Sequence, residues 1–83
     1  MKMSNQSLRN FTTGLLHTSI TEVYVAIEAL TGVSCMTHQI PELMLIIKPH
    51  LQQQLTDERF WDGKFDTTHT GESEVTPMDP PLG

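Results

Sequence analysis

Cys35 and His38 stand three residues apart, the spacing of one arm of a zinc site. A thiol beside an imidazole is equally the pairing of a nucleophile with its base. A metal site needs a second arm with two more ligands at short spacing. The other histidines are His17, His50 and His69: His50 stands alone, and His17 precedes His38 by twenty-one residues. As nucleophile and base, Cys35 and His38 straddle a strand-to-helix junction, and their side chains need not meet across it. A small buried Cys is the commoner case. The chain carries no Gly-rich phosphate loop, nucleophile elbow or paired-carboxylate motif. The expectation is a non-enzyme with no metal and no cofactor. A Cys/His catalytic or metal-binding accessory is the weakest alternative.

The elements that would position these residues are mostly helical. Ser19-Ile20-Thr21-Glu22 fits a capping box, and Gly32 supplies a left-handed stop. Between them Ile20, Val23, Tyr24, Ile27 and Leu30 share one face at helical spacing, although Val23, Val25 and Ile27 also alternate as a strand would. The end signals decide for a helix over 20–31. A second helix over about 38–55 is capped by Thr37, with Pro41 in its first turn. Its stripe is Ile40, Leu43, Met44, Ile47, Leu51 and Leu55. Pro49 lies opposite that stripe and bends the helix; two short helices meeting at Lys48 are the alternative. A short turn or helix runs through 56–61. Residues 8–16 are ambiguous, because Asn10, Thr12, Thr13 and Gly14 all weaken a helix. A short strand there, paired with Val33–Met36, would give a two-stranded ribbon. The fold class is mainly α, a small α+β unit of two principal helices and such a ribbon.

Eighty-three residues allow one small domain. Its expected divisions are a flexible N-terminus at 1–7, a globular domain at 8–61, and an acidic, largely disordered tail at 62–83. The tail holds five acids against Lys64 alone, whereas residues 1–61 hold five acids against Lys2, Arg9, Lys48 and Arg59. The tail's apolar residues, Phe65, Val75, Met78 and Leu82, follow no period, so burial cannot offset its ordering entropy.

The absence of a Lys/Arg cluster disfavours nucleic acid, whose binding draws on several phosphate contacts. The single Cys35 excludes an internal disulfide. The N-terminal residues lack the apolar stretch of a signal peptide, and the longest apolar run, 43–47, is far short of a membrane span. The expectation is a protein of a reducing, cytoplasmic compartment with no membrane association.

Three branched aliphatics fall off the core stripes: Val25 on the first helix, and Leu45 and Ile46 on the second. They are the candidate interaction residues, buried by a second copy or by a protein partner. The Thr37-His38-Gln39 segment is a further candidate, weighed against a structural role at a helix start.

Thr13-Gly14-Leu15-Leu16, Leu30-Thr31-Gly32 and Thr37-His38-Gln39-Ile40-Pro41 together form a pattern over about residues 11–55. It resembles a group of small bacteriophage proteins of unknown function. The resemblance implies a phage or prophage accessory protein in the cytoplasm of a bacterial host. The functional expectation is binding to a host or phage protein, such as a component of bacterial defence, with homo-oligomers as a further form. A nucleic-acid-associated regulator is the alternative.

Overall fold

In the computed structural model, which describes residues 1–78, the first helix begins where the sequence pattern is least helical. Ser4 accepts the Ser7 N–H on its Oγ at 3.2 Å, the geometry of an N-cap. Helix α1 runs Asn5–Thr13 and stops at Gly14, whose φ of 76° suits a residue without a Cβ. Of the ambiguous residues 8–16, for which a short strand is one reading, 8–13 are therefore helical. Leu8 and Phe11 supply its buried stripe, three residues apart. Asn10 does not break it, because its side chain is satisfied elsewhere. Its Oδ1 accepts the His17 N–H at 2.6 Å, and its Nδ2 donates to Thr18 Oγ1 at 2.7 Å.

Helix α2 spans Ile20–Thr31, the range its end signals give. Ser19 Oγ accepts the Glu22 N–H at 3.4 Å. Gly32 closes the helix at φ 73° and donates its N–H to the Glu28 carbonyl at 2.8 Å. The second expected helix is divided. A 3-10 turn covers Thr37–Gln39, and α3 then runs Ile40–Gln52. Pro49 sits inside α3 with its ring exposed. The stripe outlasts the helix: the turn after it sends the Leu55 N–H to the Leu51 carbonyl at 2.8 Å, and Leu55 stays buried. A second 3-10 turn covers Glu58–Phe60.

The architecture is mainly helical with a two-stranded antiparallel ribbon, but the strands are not those expected. Strand β1, Lys2–Ser4, pairs with β2, Glu72–Glu74, placing Met3 opposite Ser73. Residues 1–7, expected to be flexible, form this strand and open α1. Among the described residues no strand pairs with Val33–Met36, which leads into the first 3-10 turn.

The acidic segment also departs from expectation. Over residues 62–78 it lies on the body instead of trailing as a disordered tail. Val75 is 1% exposed and belongs to the core with Leu8, Phe11, Ile27, Leu30, Ile47 and Leu51. Met78 packs on that core and donates its N–H to the Leu30 carbonyl at 2.9 Å. An apolar count misses this hold because much of it is polar. Gln6 Nε2 donates to the Asp66 and His69 carbonyls at 3.1 and 2.9 Å, and Asn5 Nδ2 donates to the Thr70 carbonyl at 2.8 Å. The remainder of that expectation, residues 79–83, lies outside the described residues.

Candidate functional site

The most concentrated polar chemistry surrounds Arg9, on α1. Its side chain is 0% exposed, and a buried guanidinium is tolerated only when its donors are matched. Nη1 donates to the Arg59 carbonyl. Nη2 donates to the Lys64 carbonyl at 2.6 Å and to Asp62 Oδ1 at 3.3 Å. Nε lies 3.3 Å from His17 Nε2, and Nη1 lies 3.4 Å from His69 Nδ1. Arginine cannot be deprotonated, so both ring nitrogens facing it are acceptors, and both rings are neutral in this arrangement. His17 Nε2 also accepts the Asp66 N–H at 3.1 Å, and its Nδ1 donates to the Leu15 carbonyl at 2.8 Å. His69 is 2% exposed; its Nε2 stands 3.7 Å from Asp57 Oδ2, and its ring tilts against Phe60.

The surrounding charges are ordered by these contacts. Asp57 is held down at about 2, mainly by its hydrogen bonds from the Arg59 side chain and N–H. His69 is held below the ordinary imidazole value, first by burial and then by the Arg59 charge, with Arg9 adding to it; Asp57 and Asp66 pull the other way. Asp62 and Asp66 lie below the usual carboxylate range, chiefly through bonds from the Lys64 N–H and from Thr68.

A polar cleft of about 310 Å3 adjoins this cluster, lined by Asp57, Arg59, His69, Ser73 and Glu74 among others. Its chemistry is not that of a nucleophile and base. Ser73 donates its hydroxyl to Asn5 Oδ1 at 2.5 Å, and the two ring nitrogens of His69 face Arg9 and Asp57. Among the described residues no three His, Cys, Asp or Glu side chains gather as metal ligands. Cys35 is half-buried against the edge of the core, and His38 is exposed.

A second hollow is apolar. Met1, the three residues of β1 and the α2 residues Glu22, Val25, Ala26 and Ala29 line an open groove of about 390 Å3. Val25 is 63% exposed there. One wall is a strand edge. The Val75 N–H donates to the Met1 carbonyl at 2.8 Å, and the Asn5 N–H donates to the Gly71 carbonyl at 2.9 Å. Hydrogen-bonded pairs alternate along an antiparallel ladder. Residues 1, 3 and 5 therefore face β2, and the N–H groups of Lys2 and Ser4 point away from it.

The structure separates the expected interaction residues. Val25 lines the groove; Leu45, Ile46 and the Thr37–Gln39 segment do not. Leu45 is 74% exposed on α3, whereas Ile46 is half-buried, with part of its side chain packed against the core. The Thr37 hydroxyl does not cap the helix; it lies 2.5 Å from the Tyr24 hydroxyl and ties the turn to α2. Gln39 Oε1 accepts the Met36 N–H at 2.8 Å, a structural role at the turn. Sequence reading did not find Arg9, His17 and His69 as a cluster. They are eight and fifty-two residues apart in the chain, and nothing in their local patterns marks them as neighbours.

Fold and site together define a small helical domain closed by a ribbon, with a buried arginine at its centre and an apolar groove on its surface. Residues 4–61 match the family model of a domain of unknown function, DUF7736, and the chain belongs to that family. No curated protein and no solved structure matches the chain. The family match ends at Trp61, one residue before the segment that Arg9 clasps.

Proposed function

We propose that this protein is a small phage or prophage accessory protein of the bacterial cytoplasm that acts by binding another protein, not by catalysis. The reading rests on one observation: the apolar groove beside α2, with exposed Val25, is flanked by the edge of β1 that no strand among the described residues pairs with. An extended segment of a host or phage protein would add to that edge through main-chain hydrogen bonds. It would place an apolar side chain over Val25. A bacterial defence component is the expected class of target. Nucleic acid is disfavoured because, of the five cationic side chains, Arg9 is buried and Arg59 is paired with Asp57 at 2.8 Å.

Affinity capture from host lysate, comparing the parent with Val25→Glu, tests the reading. The parent should retain a partner that the variant loses, while both keep the same helical circular dichroism. Retention of the same partner by the folded variant would move the binding surface away from the groove. Sedimentation of the parent alone separates a foreign partner from a second copy on the same edge.

A further inference from the structure

We propose that Arg9, gripped between the neutral imidazoles of His17 and His69, is a proton-operated latch: it holds residues 62–75 against α1 when both rings are neutral and lets them go when the rings are protonated. The geometry is specific about the sign. Arg9 Nε and Nη1 are obligate donors, and they face His17 Nε2 at 3.3 Å and His69 Nδ1 at 3.4 Å. A proton added to either nitrogen sets N–H against N–H and cation against cation. On His17 the same proton also displaces the Asp66 N–H, which donates to that nitrogen at 3.1 Å. Each ring thus ties α1 to the acidic segment, His17 from the α1–α2 connection and His69 from within the segment.

The other charges around the latch have opposing effects. Asp57 Oδ2, 3.7 Å from His69 Nε2, and Asp66 favour a charged His69. Burial of the ring opposes it most, followed by Arg59 and then Arg9. Asp62 reaches Arg9 from the segment with its side chain 32% exposed, and Glu74 lines the same cleft as His69. His50, on α3, stands apart from Arg9: its Nε2 lies 2.7 Å from the Thr76 carbonyl and 2.9 Å from Gln54 Nε2, and Gln54 Oε1 accepts the Thr76 N–H at 2.6 Å, so this contact does not pass through Arg9. Release is therefore expected over the stretch clasped by Arg9, with the Thr76 contact kept. Loss of the stretch removes β2 from β1 and uncovers Val75 and Phe60, so the latch would couple acidity to the ribbon that walls the groove.

Hydrogen exchange of the full-length protein by nuclear magnetic resonance tests this, with the ring nitrogens of the histidines followed in the same samples. The reporters are the Asp66 and Asn5 amides, which donate to His17 Nε2 and the Gly71 carbonyl. Their protection, corrected for intrinsic rates, should fall about tenfold or more as the pH is lowered through the range in which the ring signals followed in the same samples titrate. Val23 and Ile27 in α2 should keep theirs. In the double variant His17→Gln, His69→Gln the dependence should flatten. Protonation of both rings with no loss of protection at Asp66 and Asn5 would overturn the latch. So would an equal loss across α2, or an unchanged pH dependence in the double variant. Should the double variant fail to fold, the ring titration in the parent decides alone.

Discussion

Arg9 Nη2 donates to the carbonyl oxygen of Lys64 at 2.6 Å across 55 residues of chain, so the first helix holds the acidic segment by its main chain. This bond does not depend on the Lys64 side chain. Together with the bond to the Arg59 carbonyl, it makes a buried charge the clasp of the fold.

Arg9→Met should accordingly destabilise the protein by about 3 kcal/mol or more, since it strands two carbonyls and two imidazoles that now have a donor. Arg9→Lys should recover only part of the loss, because one ammonium cannot reach positions set by a planar five-donor group. Urea unfolding of the two variants measures both; a loss below about 1 kcal/mol for Arg9→Met would contradict the clasp.

The caps of α2 were legible from residue types alone, and they carry a local energy. Ser19→Ala should cost about 1 kcal/mol. Gly32→Ala should cost a similar amount, about 1 kcal/mol, through backbone strain at φ 73° alone, because an added Cβ would meet no atom within 4 Å. Thermal unfolding resolves each.

Leu45 and Ile46 are adjacent in sequence but not equivalent in the fold. Leu45→Asp should change stability by no more than about 0.5 kcal/mol, because its side chain is exposed. Ile46→Asp should cost more than about 1 kcal/mol, because a carboxylate would replace a side chain packed on the core. Equal costs would mean that the two faces of α3 are wrongly distinguished.

The pH dependence has a definite direction. His69 in the fold lies below its ordinary value of 6.5, so the unfolded chain takes up the proton first. Its contribution is fully present above about pH 6.5 and is lost as pH falls toward the lower folded value. Asp57, Asp62, Asp66 and Glu74 are also lowered, from ordinary values of 3.8 to 4.5. Their losses therefore come only in stronger acid. Urea midpoints measured from about pH 7.5 down to pH 5 should decline in the parent and decline less in His69→Gln.

How much was legible follows from the kind of signal. Periodicity and caps place α2 to the residue, and most of the α3 stripe is buried as its spacing implies. Helix α1 escaped because its polar residues weaken a helix locally, and their partners, such as Thr18 and the His17 N–H for Asn10, come from the next loop. A short ribbon was expected, but its strands escaped because β1 and β2 are three residues each and lie at opposite ends of the described chain. The hold on residues 62–78 was not legible because many of its anchors are carbonyl oxygens, which every residue carries and no composition reveals. Val25 was found correctly as exposed; the strand edge beside it depends on a pairing that no local pattern contains.

The central claim is that residues 62–78 are part of one folded unit, closed by Arg9 and by Val75, and that the ribbon and its groove depend on them. Thermal unfolding of the chain truncated after Trp61, set against the full-length protein, tests it most directly. We expect the truncated chain to lose more than about 10 °C, or its cooperative transition altogether, since it gives up β2, Val75 and the partners of Arg9. A truncated chain that melts cooperatively within about 2 °C of the parent would contradict the claim, and the groove would then have to be built without the ribbon.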